Sequence, residues 1–105
     1  MKTNNAVSAL AALAQDSRLS IFRLLVHNAP DGLTAGVIAE QLDLPAPTLS
    51  FHLKTLAQAG LVSTAQEGRF MRYRAQIETI NALAEFLTQD CCGGHPELCS
   101  PEVKQ

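Results

Sequence analysis

All three cysteines of the chain lie in one short segment near its C-terminus, at Cys91, Cys92 and Cys99. Thiolates are soft ligands that select thiophilic ions, so three of them on one loop can converge on a single centre. Gly93 and Gly94 allow the backbone to turn back between the second and third cysteines. The spacing therefore predicts a three-sulfur site, which is the arrangement that arsenic(III) and antimony(III) prefer.

A histidine in the same segment leaves a second ligand set open. His95 would complete a Cys₃His set, which suits the tetrahedral shell of zinc or cadmium. Catalysis by a cysteine fits less well, because a predicted helix C-terminus and Asp90 both disfavour the thiolate that a nucleophile needs. The segment also lacks a Gly-rich phosphate loop or neighbouring basic residues that would hold an oxyanion. We therefore expect a binding protein without a small-molecule substrate, and not an enzyme.

Length and composition restrict what surrounds these cysteines. A chain of 105 residues forms one small domain, and its content of 47% hydrophobic but only 5% aromatic residues favours helices. The sequence contains neither a long apolar run nor a signal peptide, so we expect a cytoplasmic protein away from membranes, with reduced cysteines. The net charge of −2 argues against indiscriminate binding to polyanions. A DNA-binding role would need a local basic face.

Apolar periodicity predicts five helices and two strands. The helices run from Asn4 to Ala14, from a cap at Asp16 or Ser17 to the turn at Ala29, from a cap at Thr34 to Leu42, from about Pro47 to Gly60, and from Gln76 to Gln89. Two β-prone runs, 61–65 and 70–74, predict a hairpin. This order predicts a mainly α winged helix-turn-helix with five helices and one two-stranded β-hairpin. Residues 1–90 would form the DNA-binding and dimerisation domain, and residues 91–105 an inducer-binding tail.

The fourth helix turns a stripe of leucines inward and a polar face outward, and an α-helix fits the major groove of DNA. Lys54 can neutralise a DNA phosphate. Phe51 either contacts a thymine methyl group or packs against neighbouring residues. His52 lies at the edge of the buried stripe, where a structural role competes with a base contact. The candidate DNA-binding residues on this helix are Thr48, Ser50, Phe51, His52 and Lys54.

The predicted hairpin adds two basic candidates. Arg69 follows Gly68 at the tip, where it would reach phosphates or the minor groove. Arg72 shares a strand face with Arg74, and Tyr73 lies on the opposite, inward face. A solvated surface charge is the alternative for both Arg69 and Arg72.

The first and last helices carry more apolar side chains than a core of this size needs, which predicts a homodimer with two DNA-reading helices. The predicted interface consists of Val7, Leu10, Ala11, Ile80, Leu83, Ala84 and Leu87.

Five short motifs extend over nearly the whole chain: Asp16–Leu19, Ile21–Leu25, Leu49–Leu56, Ala59–Val62 and Glu67–Phe70, the last followed by Tyr73-Arg74. Together they resemble the ArsR/SmtB family of metalloregulators. The resemblance implies a dimeric repressor that binds double-stranded operator DNA and releases it when an inducer binds.

The same family places inducer sites at several positions. Its Cys-x-Cys arsenic site on the third helix matches positions 34–36, which are Thr, Ala and Gly here. Its zinc site on the last helix needs histidine, and residues 76–89 contain none. The pattern at Cys91, Cys92 and Cys99 resembles an arsenic(III)-responsive subgroup whose three ligands come from one subunit. We therefore expect a repressor that responds to arsenite or antimonite. The alternatives are a zinc or cadmium sensor, a thiol-dependent arsenate reductase and a metal chaperone.

Overall fold

The computed structural model describes residues 1–89, so the predicted tail at 91–105, with the three cysteines and His95, lies outside the described residues. The described part contains five helices and three strands: α1 (Thr3–Leu13), α2 (Asp16–His27), β1 (Leu33–Thr34), α3 (Ala35–Leu42), α4 (Ala46–Gln58), β2 (Val62–Glu67), β3 (Phe70–Ala75) and α5 (Ile77–Thr88). The predicted mainly helical class and the five helices are confirmed.

The strand count was wrong, because the sheet has three antiparallel strands in the order β1-β3-β2 and not two. The third strand is short: Leu33 pairs with Tyr73, and Thr34 pairs with Arg72. Gly32 makes this pairing possible, since its φ is +75° and a Cβ at this position would collide with the Tyr73 carbonyl oxygen. A two-residue strand is too short to produce a recognisable alternation in the sequence.

Caps and turns fix where the helix-turn-helix begins and ends. Gln15 caps α2, because its Oε1 accepts the backbone N–H of Arg18 at 2.9 Å; the expected cap at Asp16 or Ser17 was therefore wrong. Thr34 does precede α3, without a side-chain capping bond. Pro47 lies in the first turn of α4 as predicted, and Gly60 follows the helix with φ +77°.

The core lies between α1, α2 and α4, and is closed by the sheet and by α5. The inward face of α1 consists of alanines, which let the neighbouring helices approach closely. The buried residues are Ala6, Ala9, Ala12, Ile21, Phe22, Leu25, Ile38, Leu49, Leu53, Leu56, Leu61, Val62 and Leu83. Because three of these side chains belong to the leucine stripe of α4, the core fixes that helix and the direction of its outward face.

Candidate nucleic-acid interface

The outward face of α4 carries the polar residues that the sequence predicted. Thr48, Ser50 and Lys54 are all exposed, and Phe51 next to them is 65% exposed. Hydroxyl groups can contact base edges or phosphates, an ammonium group can neutralise a phosphate, and an aromatic ring can meet a thymine methyl group. The face therefore combines polar, cationic and apolar contact types on one rigid helix.

His52 belongs to the interior and not to this outward face. It is 9% exposed and is the one buried polar side chain among residues 1–89. Its Nδ1 lies 3.4 Å from Nη1 of Arg18, which can only donate, so Nδ1 accepts and the ring hydrogen in this contact belongs on Nε2. This position matches the structural alternative for His52, whose side chain is buried beneath the outward face of α4.

Arg18 is a structural residue to which the sequence analysis assigned no role. Its Nε donates to the Ala12 carbonyl oxygen at 2.6 Å, and its Nη2 lies 3.5 Å from the Ala11 oxygen. The guanidinium group therefore satisfies carbonyls at the C-terminus of α1 while it contacts His52 on α4. Arg18 lies in Asp16–Leu19, one of the motifs that resemble the family, but apolar periodicity alone cannot show that this arginine joins two other helices.

The wing formed by β2 and β3 carries its arginines in two different situations. Arg69 is exposed after Gly68, whose φ of +62° fits the first central position of a type II′ turn, and Arg69 forms no salt bridge within residues 1–89. Arg72 instead donates from Nε to Oε1 of Glu67 at 2.9 Å and from Nη1 to the Gly32 carbonyl at 3.2 Å. Arg72 therefore joins the wing to the loop before β1.

The apolar residues expected at a dimer interface divide into two groups. Leu83 is buried in the monomer with 3% exposure, and Ile80 is half-buried against the core. The other five remain on the surface of α1 and α5, with Val7 and Leu87 both 58% exposed and Leu10 43% exposed. The exposed residues of this α1/α5 face are Val7, Leu10, Ala11, Ala84 and Leu87.

Within residues 1–89, no group of three or more His, Cys, Asp or Glu side chains is placed to hold a metal ion. The predicted thiol site and its zinc alternative lie outside this range. None of the helices in the same range is both long and apolar enough to cross a membrane.

The profile of a family described as a helix-turn-helix domain matches residues 13–65, from the end of α1 into β2. In the solved structures, an ArsR-like transcriptional regulator from Rhodococcus sp. RHA1 superposes with a TM-score of 0.73 at 29% identity, covering 82% of this chain and 78% of that one. This chain belongs to the ArsR family of winged helix-turn-helix transcriptional regulators. The homodimeric winged helix-turn-helix domain Mb0332 from Mycobacterium bovis has the same fold, with a TM-score of 0.68 at 24% identity over 88% of this chain and 85% of that chain.

Relatives of this ArsR-family chain are named as transcriptional regulators. The repressor SdpR of Bacillus subtilis is 30% identical over 74% of this chain and 88% of its own. YceK of Bacillus subtilis, an uncharacterised regulator, is 38% identical over 55% of this chain and 57% of its own. A putative arsenical resistance operon repressor of Halobacterium salinarum is 34% identical over 68% of this chain and 54% of its own. The chain thus spans little more than half the length of the last two proteins.

These relatives are DNA-binding regulators and not enzymes, which agrees with the expected function class. The expected family is confirmed. Membership of an arsenic-responsive subgroup and the cysteine ligands stay predictions.

Proposed function

We propose that this ArsR-family regulator is a homodimeric repressor that leaves its operator when arsenite or antimonite binds Cys91, Cys92 and Cys99. The observation that carries the proposal is the set of three thiols within nine residues, beginning three positions after the end of α5 at Thr88. Because the chain has no other cysteine, any three-thiol site within one subunit must use this set.

The α1/α5 face supports the dimer. Val7, Leu10 and Leu87 together form the exposed apolar part of two helices that contact each other, and burying such side chains against a second copy is favourable. The homodimeric Mb0332 domain shows that the same fold can assemble in pairs. In a twofold dimer, two α4 helices would face two half-sites of an operator.

The position of the thiols supports a role as an inducer site. An ion bound directly after α5 would constrain the end of a helix that lies at the proposed dimer interface, and a change in that interface alters how the two α4 helices are spaced. Arg18 supplies a further physical connection, because it contacts both the end of α1 and His52 on α4. The two sites would therefore be coupled through packed helices, and the coupling must be reciprocal.

A zinc or cadmium sensor remains the second candidate function, because His95 stands between Cys92 and Cys99. Arsenic(III) is satisfied by three sulfurs, whereas zinc requires a fourth ligand. The His95→Ala variant separates the candidates: it should retain release of DNA by arsenite and lose affinity for zinc. Loss of arsenite release in a folded His95→Ala protein would contradict the three-cysteine site.

The direct test replaces each of Cys91, Cys92 and Cys99 with Ser and measures operator binding by fluorescence anisotropy with and without arsenite, antimonite, zinc and cadmium. Each variant should bind operator as tightly as the parent but fail to release it, because none of the three cysteines belongs to α4 or to the wing. Weaker binding without any ion would contradict this separation of inducer and DNA sites. Release by zinc or cadmium alone would favour the second candidate.

A further inference from the structure

Glu67 stands between two arginines on the outward face of the wing. Its Oε1 accepts Nε of Arg72 at 2.9 Å, and its Oε2 lies 3.6 Å from Nη2 of Arg74. The strand register explains this arrangement, since Glu67 pairs with Phe70 and residues 70, 72 and 74 share one face of β3. One carboxylate therefore serves two guanidinium groups, each through a different oxygen.

The two arginines differ in what else holds them. Arg72 also donates to the Gly32 carbonyl at 3.2 Å, with the Asp31 oxygen at 3.5 Å, and its side chain is 28% exposed. Arg74 is 39% exposed, and within residues 1–89 its side chain has Glu67 as its polar partner. Neutralising Glu67 would thus leave Arg72 held by the loop and make Arg74 available to solvent and to phosphates.

The position of this carboxylate matters for DNA binding. Glu67 is two residues before Arg69, which stands exposed at the wing tip where a phosphate would be contacted. Sequence-independent affinity for DNA rises with the number of phosphates that are neutralised, whereas base contacts from α4 discriminate between sequences. A carboxylate that occupies Arg74 and repels nearby phosphates therefore lowers the sequence-independent part of the affinity and leaves the base contacts in place.

We propose that Glu67 is a specificity-determining residue that withholds Arg74 from DNA phosphates and so limits binding to non-operator DNA. The inference rests on the family's DNA-binding role and on the wing geometry, and it is independent of the inducer. It also differs from a purely structural role, in which Glu67 would only brace the wing through Arg72.

The test measures binding of the full chain, without any ion, to a mixed-sequence duplex lacking an operator, at salt concentrations from 50 to 200 mM. Glu67→Gln keeps an oxygen for Arg72 but removes the charge. It should bind non-operator DNA more tightly and increase the salt slope by about 2, which corresponds to one new phosphate contact per subunit. The ratio of operator to non-operator affinity should fall.

Two further variants isolate Arg74. Arg74→Gln alone should leave the parental salt slope nearly unchanged, because its guanidinium group is already occupied. The double variant Glu67→Gln, Arg74→Gln should return the slope to the parental value. Glu78→Gln is the matched control, since it removes the same charge from an exposed residue on α5.

An unchanged slope and non-operator affinity in Glu67→Gln would overturn the proposal. A salt slope that stays increased in the double variant would also overturn it, and so would an equal increase in Glu78→Gln. In either case the increase would not depend on the release of Arg74 from Glu67. Weaker binding to both DNAs with a lower thermal midpoint would assign Glu67 to bracing alone. If Glu67→Gln does not fold, the Arg74→Gln variant tests the proposal by itself. A smaller salt slope in this variant than in the parent would overturn the proposal, because it would mean that Arg74 already contacts phosphate in the parent.

Discussion

Helix α4 and the wing, the two elements proposed to contact DNA, hold their outward side chains in different ways. Leu49, Leu53 and Leu56 are almost fully buried beneath α4, and the contact between His52 and Arg18 adds a polar anchor. In the wing, by contrast, Val62 is the one buried residue of β2 and β3, and Phe70 and Met71 are exposed. Its outward arginines are held mainly by Glu67 and by loop carbonyls.

This difference separates two tasks of a DNA-binding protein. Base readout needs side chains held at fixed positions, which a helix packed on a core provides. Phosphate attraction acts over longer distances and depends on charge, so it can be adjusted by one exposed acidic residue. The comparison indicates that changes in α4 packing should alter stability strongly, whereas changes in the wing should alter the salt dependence of binding with little effect on stability.

The largest expected effect is on the core beneath α4. Leu53→Ala should lower the free energy of unfolding by about 2–5 kcal/mol, because it leaves a cavity at a side chain that is 1% exposed. Phe70→Ala in the wing removes a larger side chain that is 63% exposed, and should change stability by about 0.5 kcal/mol or less. Urea denaturation of both variants tests the comparison. Similar losses would show that the wing is as tightly packed as α4.

The second prediction concerns the polar anchor of α4. Arg18→Ala should destabilise the protein by about 1–3 kcal/mol, because it removes the donor to the Ala12 carbonyl and leaves the buried Nδ1 of His52 without one. Arg23→Ala on the exposed side of the same helix is the control. Thermal unfolding measures stability, and ¹⁵N NMR of the histidine rings reports the Nε2–H form of His52. Equal effects of the two arginine variants would remove Arg18 as an anchor.

The third prediction concerns Arg69, the exposed cation at the wing tip. Arg69→Ala should weaken binding to all DNA sequences alike and reduce the salt slope by about 2, because one phosphate contact is lost from each subunit. When the salt concentration is raised fourfold, the factor by which the variant loses affinity should therefore be roughly ten times smaller than the factor for the parent. Binding titrations at several salt concentrations provide the measurement. An unchanged slope would leave Arg69 as a solvated charge.

The smallest expected effect concerns Phe51 and a single methyl group. If the exposed ring contacts a thymine methyl group, replacing that thymine by deoxyuracil should weaken binding by the parent roughly fourfold. This factor corresponds to about 0.8 kcal/mol, the free energy of burying one apolar carbon. The Phe51→Ala variant should bind the thymine operator and the deoxyuracil operator equally. Scanning the operator with single deoxyuracil substitutions locates the contact. A parent insensitive at every position would leave Phe51 without a role in base readout.

Several features could be predicted from local sequence because local physics determines them. The spacing of the leucines fixes both the existence of α4 and its outward face, since side chains 3 or 4 residues apart share one side of a helix. Pro47 and Gly60 limit the same helix through backbone geometry alone. Alternation along β3 likewise places Arg72 and Arg74 on one face. The clustering of the cysteines was also visible in the sequence, although their arrangement lies outside the described residues.

Tertiary structure decided the features that depend on partners distant in sequence. The third strand exists because Gly32 allows the loop before β1 to meet Tyr73, which is about 40 residues away along the chain. Arg18 meets His52 at a sequence separation of 34, and no periodicity links them. The sequence predicted Arg72 as a DNA contact, which stays a prediction; folding shows in addition that Glu67 and the Gly32 carbonyl lie against its guanidinium group. Local periodicity therefore determined which faces are buried, whereas three-dimensional proximity determined which polar groups on those faces are occupied.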